Sequence, residues 1–379
     1  MKNKKSRVYK IGVDARPLST GISGVGRVIA ETIRFFPEKE SFEFYLFTHR
    51  TIHQSHISLL ELKNVKVIQS TGIFAWKGGI YFNLYLPLLV RKIGLDLFWG
   101  SQQVICPFLP KALPVVLTFY DLVSYFFPNT MRKIAAIQQR LFQKLSVKRA
   151  NFIISISKQT NDDMIQLFHF DKDKTRVAYP GIDPNSIKYF QSFPVSKRIL
   201  NIPSSYFLTV STIEPRKNYP FLLKVYEEYS KQYKGKNKLS WVIAGKIGWE
   251  SEDFLVQFQE RLQSDSSLIF IESPDDHELQ HLYHRASLFL FASLYEGFGI
   301  PLVEALLHKK FSIVSDIPTF REIGGKEILY LPLTDPSLWA KKIIQYQNKP
   351  NRVKFDPKKF SWKRSSEITK EVFDRVLSR

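Results

Sequence analysis

One cysteine, Cys106, stands in a chain of 379 residues, so no disulfide can form within it, and the composition suits a reducing compartment. Long apolar runs are missing as well. None reaches the roughly 18–20 residues that a membrane-spanning helix needs. The charged start, Met1 to Arg7, leads into a strand pattern with Asp14 and Pro17 rather than a signal-peptide core. The chain is therefore expected in the cytoplasm, free or peripheral on the inner face of a membrane. Zinc-ligand spacing, an RNA-binding aromatic signature and an arginine-rich tail are absent, which argues against nucleic acid as a partner. No short repeat or low-complexity tract is present, which argues against a solenoid or an extended disordered tract. Acidic residues are scarce beside basic ones: 35 Asp and Glu against 55 Lys and Arg, a formal net charge of +20. Such an excess favours an anionic membrane face or phosphorylated small molecules, although spread lysines also simply solvate a surface.

What is present is an alternation of strand and helix patterns, running twice. Hydrophobic residues make up 44% and charged residues 24%, as in a soluble globular protein, and the length suits two domains. In the first half, apolar strands are predicted at Val8–Asp14, Phe42–Phe47, Val65–Ile68, Asp96–Trp99, Val115–Thr118 and Phe152–Ser155. Helical spacing covers Val28–Phe35, Ile80–Ile93 and Met131–Ala150. The pattern lapses between Arg176 and Phe193 into Pro, Gly, Asp and Asn, including Pro184, and this stretch reads as a linker. A second series follows, with strands at Phe207–Ile213, Ser240–Gly245, Leu268–Glu272, Leu288–Ala292 and Phe311–Ser315, and a helix at Ser337–Gln347. Parallel sheets covered by helices are expected, in domains 1–190 and 191–360, with ligands in a cleft at the carboxyl ends of the strands.

Two stretches in the second half carry candidate chemistry. Glu214-Pro215-Arg216-Lys217-Asn218 puts two cations between a strand end and a helix start, where they can face phosphates or stand solvated in a loop. Glu296-Gly297-Phe298-Gly299-Ile300-Pro301-Leu302-Val303-Glu304 follows another strand. Its glycines permit close backbone approach. Pro301 predicts the first helical position, with Glu304 in the first turn. A nucleotide sugar fits this stretch: turn amides on the pyrophosphate, Glu304 on the ribose diol, Glu296 on the transferred sugar. The same residues also serve a plain turn and a helix dipole.

Taken together, these stretches resemble the retaining GT-B glycosyltransferases of group 1 (family 4), which implies two Rossmann-like domains. The resemblance runs through Ser211–Asn218, Val242–Trp249 (with Gly245 and Lys246), Glu296–Glu304, Pro318–Gly324 and Phe360–Trp362. It implies that Arg216, Lys217, Gly245, Lys246, Gly297, Phe298, Gly299 and Glu304 bind the donor, and that a terminal helix at 361–379 packs back on the first domain. In the first half, Thr20 to Arg27 resembles the family's glycine loop, with Ile22 inside it and Gly24, Val25, Gly26 and Arg27 as the matching acceptor and phosphate residues. Thr118 to Leu122, with Pro128, resembles the acceptor-side motif. Asp121 matches there, while Tyr120 replaces a common His, and a phenol can still donate to a sugar. Ser155–Thr160 resembles the next strand-to-helix turn, and Gly181-Ile182-Asp183 the end of the domain.

The resemblance implies a nucleotide-sugar donor (GDP-mannose favoured), a glycan or lipid-linked acceptor, and front-face substitution without a metal or other cofactor. Glu296, Tyr120 and Asp121 are the expected catalytic residues. Asp171-Lys172-Asp173 spells a metal-binding triplet but falls in a linking stretch and is expected to be a solvated loop. Other readings are a sugar-nucleotide epimerase or phosphorylase, or a non-catalytic sugar- or lipid-binding protein. In the Met131–Ala150 helix, Lys133, Arg140, Lys144 and Lys148 share a face beside Ile134, Ile137, Leu141 and Leu145. That pattern suits anionic lipid, but the apolar side is expected in the core. Aromatics between Phe74 and Leu89, including Trp76, Tyr81, Phe82 and Tyr85, are acceptor surface or packing.

Overall fold

The computed structural model describes residues 7–21, 23–70, 78–182, 194–348 and 353–378. Ile22, the stretch with Phe74 and Trp76, Asp183 and Pro184 lie outside the described residues. Strands in chain order are β1 (Tyr9–Asp14), β2 (Phe42–Thr48), β3 (Val65–Gln69), β4 (Leu97–Gly100), β5 (Val115–Phe119), β6 (Phe152–Ser155) and β7 (Thr175–Val177) in the first sheet. The second sheet holds β8 (Tyr206–Val210), β9 (Ser240–Gly245), β10 (Leu268–Glu272), β11 (Leu288–Phe291), β12 (Ser312–Ser315) and β13 (Leu329–Leu331). The principal helices are α1 (Gly24–Arg34), α2 (Leu86–Ile93), α3 (Lys133–Arg149), α4 (Lys158–Phe168), α5 (Tyr219–Gln232), α6 (Glu252–Ser264), α7 (Asp276–Arg285), α8 (Ile300–Leu307), α9 (Pro318–Gly324), α10 (Pro336–Tyr346) and α11 (Trp362–Leu377).

Both sheets are parallel throughout the paired strands, and both are wound in the same sense. The first runs β3-β2-β1-β4-β5-β6-β7 and the second β10-β9-β8-β11-β12-β13. Parallel sheets need both faces covered, and β4, β5, β6, β8, β11 and β12 are buried at every position. The α/β expectation and the two-sheet Rossmann-like architecture hold. The order reverses between β1 and β4 and between β8 and β11, so each sheet has one switch point where a ligand crevice forms.

By its contacts the chain divides into two units. One comprises 1–125, 133–181 and 358–379; the other comprises 126–132 and 182–357. In the first, Val372, Phe373 and Val376 of α11 join the core on the α1 side of the sheet, and the Ser366 hydroxyl donates to the Thr32 carbonyl of α1 (3.0 Å). Gly181 is required beside this helix, because a Cβ there would lie 2.2 Å from the Trp362 nitrogen. In the second unit, Phe126 and Phe127 pack their rings on Tyr295 (5.9 and 5.6 Å between centroids).

Three local expectations need correction. The Gly24, Val25, Gly26 and Arg27 stretch is not loop but the first turn of α1, because Ser23 caps it, accepting from the Gly26 amide. Helix α8 begins at Ile300 with Gly299 as its cap, so Pro301 is second and Glu304 lies beyond the first turn. Helix α3 does not bury its apolar side: Ile134, Ile137, Leu141 and Leu145 are all exposed, while Gln143 and Ser146 are buried. Strands β7 and β13, each of three residues at a sheet edge, were not foreseen.

Candidate functional site

At the switch point of the second sheet, the segments after β8 and β11 meet. The chain leaving β8 turns through a 3-10 segment, Pro215–Lys217, which Asn218 closes in a left-handed conformation (φ 59°). The chain leaving β11 runs Ser293–Gly299 into α8, and the Leu294 amide donates to the Arg216 carbonyl (2.9 Å), which sets the register of the two loops. Arg216 and Lys217 thus reach Glu296 from either side. The Arg216 guanidinium donates to Glu296 Oε2 (2.6 Å) and to Glu214 Oε1 (2.7 Å), and the Lys217 ammonium donates to Glu296 Oε1 (2.5 Å).

Everything in this network except Arg216 is buried. Glu214, Lys217 and Glu296 are each below a tenth exposed. Burial alone pushes the Glu296 carboxyl up, but the Arg216 and Lys217 charges and the Ser293 hydroxyl (2.7 Å) hold it down at about 2. Burial and the Arg216 charge push Lys217 below the usual lysine range against the pull of Glu296. The two partners move in opposite senses on the question of a charged pair. The carboxylate faces two cations and a hydroxyl, whereas the ammonium faces a carboxylate and a competing cation, so the ionised Glu296 is the firmer of the two. Two cations and two carboxylates balance, so the cluster is close to neutral.

The backbone around it is held by side-chain hydroxyls and by close glycine contacts. Thr319 of α9 donates to the Glu296 carbonyl and Ser315 to the Ser293 carbonyl. Gly299 sits at φ 105° under the Phe320 ring, 3.0 Å from where a Cβ would be. Gly245 passes so close to the β8 exit that a Cβ would lie 1.9 Å from the Ser211 oxygen. Gly297 and Phe298 are buried in the turn. Glu304, one turn into α8, accepts from the Tyr283 hydroxyl (3.0 Å). Lys246 contributes its carbonyl, which accepts from the Ile213 amide (2.7 Å), but its side chain is exposed and takes no part in the ion network.

The switch point of the first sheet is built differently. Asp14, at the end of β1, is buried and holds Arg16 through both oxygens (2.8 Å each). The Arg16 guanidinium lies over the Phe82 ring, 3.7 Å from its centroid. After β4, Gln103 takes a left-handed conformation (φ 65°), uncommon for a non-glycine residue. Its amide oxygen accepts from the backbone of Tyr120 (3.2 Å), the backbone of Asp121 (3.1 Å) and the Gln143 side chain (3.3 Å). Tyr120 and Asp121 are thereby fixed just past β5. Burial pushes the Tyr120 phenol up, and its buried oxygen has no hydrogen-bond partner among the described residues. The Asp121 carboxylate caps the next turn, accepting from the Val123 amide (3.3 Å). Gln103 gave no signal in the sequence, since its role depends on two backbone amides seventeen and eighteen positions away. Asp171 of the acidic triplet pairs with Lys174 and caps its own turn.

Comparison with known proteins places both halves. The model for group 1 glycosyl transferases matches residues 194–359, and that for glycosyltransferase family 4 matches residues 22–186. The chain is 26% identical over 347 residues to O-antigen chain mannosyltransferase B of Escherichia coli, covering 89% of this chain and 90% of that one. It is 25% identical over 258 residues to the O-antigen chain mannosyltransferase RfbU of Salmonella typhimurium, covering 67% and 68%. A third relative, the serotype-specific mannosyltransferase WbdA of Escherichia coli, is 32% identical over 166 residues, but the match spans a fifth (20%) of that protein. Among solved structures, sucrose-phosphate synthase of Thermosynechococcus elongatus shares the fold with a TM-score of 0.69 at 15% identity, covering 98% and 99%. HepE of Anabaena, solved with UDP-glucose, does so with a TM-score of 0.65 at 15% identity, covering 98% and 100%.

Proposed function

The chain is a glycosyltransferase of group 1 and family 4 with the GT-B fold, and from there we propose that it moves mannose from GDP-mannose to a glycan or lipid-linked acceptor in the assembly of a cell-surface polysaccharide such as an O-antigen. The observation that carries the donor site is the Glu214–Arg216–Lys217–Glu296 network at the switch point of the second sheet. Mannose is supported by the three mannosyltransferases that the chain resembles.

In this reading the diphosphate of the donor docks against Arg216, Lys217 and the amides of the Gly297–Gly299 turn. Those groups offset the charge that builds on the departing diphosphate, the role a metal plays elsewhere. Glu304 takes the ribose diol, and Gly245 with Lys246 lines the approach of the nucleotide. Glu296 receives the sugar hydroxyls once the phosphates compete for its cations. The reaction retains configuration: the bond from the anomeric carbon to the diphosphate breaks, and the acceptor oxygen bonds to the same face. The acceptor proton passes to the leaving phosphate oxygen. Asp121 and Tyr120 orient the acceptor, and the first turn of α1 offers the Gly24 and Val25 amides and the Arg27 cation to it, the Gly26 and Arg27 amides being held by Ser23. A lipid-linked acceptor puts the enzyme on the cytosolic face of a membrane.

The test is a panel of nucleotide sugars, following slow release of free nucleotide and the thermal shift each produces. GDP-mannose is expected to give both; a ligand at 100 times its Kd stabilises by about 2.7 kcal/mol. A UDP-hexose that outperforms it overturns the donor assignment. Silence from every nucleotide sugar in both readouts overturns the donor site.

A further inference from the structure

Helix α3 is built inside out. Ile134, Ile137, Leu141 and Leu145 recur at spacings of three and four, which on a helix is one stripe, and they are 74%, 65%, 57% and 46% exposed. The side facing the protein carries Gln143 and Ser146, which hold neighbouring loops: Ser124 donates to Gln143 (3.2 Å) and the Ile105 amide to Ser146 (2.9 Å). Ala136 and Val147 are buried beside them, but the four large aliphatic side chains of the stripe stand outside, the reverse of what a helix on a globular surface needs.

A second stripe is built alike. Residues 78–93 form continuous helix, with a π-helical segment at Tyr81–Tyr85 ahead of α2. Ile80, Leu84 and Leu88 are exposed along it, followed by exposed Arg91 and Lys92. The two helices border one cavity of about 360 Å³, lined by Gly79, Phe82 and Asn83 on one side and Ala135, Gln138 and Phe142 on the other. Seven exposed aliphatic residues therefore stand on the two helices that border this cavity, each outside its lining. Their charge setting is one-sided: residues 62–161 hold thirteen Lys and Arg against two acids, Asp96 and Asp121. Asp96 is paired with Arg7, and Lys133, Lys144 and Lys148 are exposed along α3.

We propose that this face of the first unit, carried by α3 and the helix of residues 78–93, docks on an anionic lipid leaflet. The aliphatic stripes enter the acyl boundary and Lys133, Lys144, Lys148, Arg91 and Lys92 meet the headgroups. The occupant follows from chemistry. The stripes carry no aromatic anchor, whereas protein interfaces favour Tyr, Trp and Phe, and uniform positive charge without interspersed acid suits a headgroup plane. The inference deepens the lipid-linked acceptor of the proposed function and rests on it for its purpose, not for its geometry.

The experiment is vesicle flotation of the full chain on phosphatidylcholine alone and with 30% phosphatidylglycerol, at low and raised salt, beside GDP-mannose hydrolysis in solution. Wild type is expected to float with the anionic vesicles and to be released in part by salt. Ile137→Ser with Leu141→Ser is expected to lower binding at least tenfold, and Lys144→Glu with Lys148→Glu to lower it on anionic vesicles about as much, with hydrolysis unchanged in both. Binding that is equal in wild type and both variants overturns the proposal, as does no binding by a wild type that still hydrolyses donor. Self-association through this face, abolished in the serine pair by sedimentation velocity and without vesicle binding, overturns it in favour of an interface between copies. Vesicle binding that follows the variants without any hydrolysis leaves docking standing and removes the donor reading instead.

Discussion

The two switch points share a topology and differ in what they put there. After β8 and β11 stands a buried network of charges, Glu214–Arg216 and Lys217–Glu296, closed on itself and near neutral. After β1 and β4 stands a single ion pair, Asp14–Arg16, and beside it a scaffold of amides, where Gln103 holds the backbone of Tyr120 and Asp121 next to a phenol that has no hydrogen-bond partner among the described residues. The first arrangement suits a ligand that brings charge, because an arriving diphosphate can take over cations already in place. The second suits a ligand that brings hydroxyls. In the proposed function, donor and acceptor chemistry are divided between two copies of one fold, and each copy can be broken separately.

The largest break is Glu296→Ala. It strips Lys217 of its buried partner, and breaking a buried pair costs about 3–5 kcal/mol, readable as a lowered melting temperature. Turnover is expected to fall at least about a hundredfold, on the scale of other lost electrostatic contacts. Nucleotide affinity is expected to hold or tighten, since Arg216 and Lys217 are released to the phosphates. A hundredfold loss of nucleotide affinity with unchanged turnover of bound donor would reverse the roles assigned here. A variant as active as wild type would take Glu296 out of the site.

The same network gives the donor half its pH signature. Glu296 is held at about 2, below its usual 4.5. A carboxyl depressed in the folded state contributes stability above its unfolded pKa and loses it as pH falls through the folded one. The expected loss therefore runs from about pH 4.5 down to about pH 2 and is roughly 3 kcal/mol in all. Acid unfolding of wild type and Glu296→Gln, followed by tryptophan fluorescence, checks this: the difference between them should shrink across that window. A constant difference down to pH 2 would show that the ionised carboxylate is not what the network stabilises.

How much of this was readable beforehand depends on how local the signal is. The alternation of strands and helices was legible, because each period is written within ten residues or so. Edge strands β7 and β13 were not, since three residues carry no period and their pairing comes from β6 and β12. The loops bearing Arg216 and Glu296 were legible as sequence motifs. Their direct pairing was not, because the partners stand 80 positions apart and only the β8–β11 neighbourhood joins them. Helix α3 misled in an instructive way: its stripe was visible, but a stripe does not say which way it faces. Gln143 and Ser146, fixed to loops that the sequence cannot locate, decide that.

On the acceptor side the sharper test is Gln103→Leu. It leaves the Tyr120 and Asp121 amides without their acceptor, and an unsatisfied buried donor costs about 1–3 kcal/mol. The transfer rate to acceptor is expected to fall about tenfold or more while donor hydrolysis and nucleotide affinity stay put. A loss of nucleotide affinity instead would mean that the two switch points are not separable.

The smallest effect on stability, and the cleanest on function, belongs to Tyr120→Phe. The phenol oxygen is buried without a partner among the described residues, so removing it gives up no hydrogen bond there and relieves an unmet desolvation cost. The melting temperature is expected to stay level or rise slightly. If the hydroxyl donates to the sugar, transfer should fall about tenfold, the size of one neutral hydrogen bond of about 1.4 kcal/mol, with kcat carrying the loss and KM for the nucleotide sugar unmoved. Full transfer activity in a stabilised variant would make Tyr120 a packing residue and leave Asp121 alone on the acceptor-side motif. The comparison between the halves would then narrow to a four-membered charge network on one side and, on the other, the Asp14–Arg16 pair with Asp121, whose backbone amide donates to Gln103.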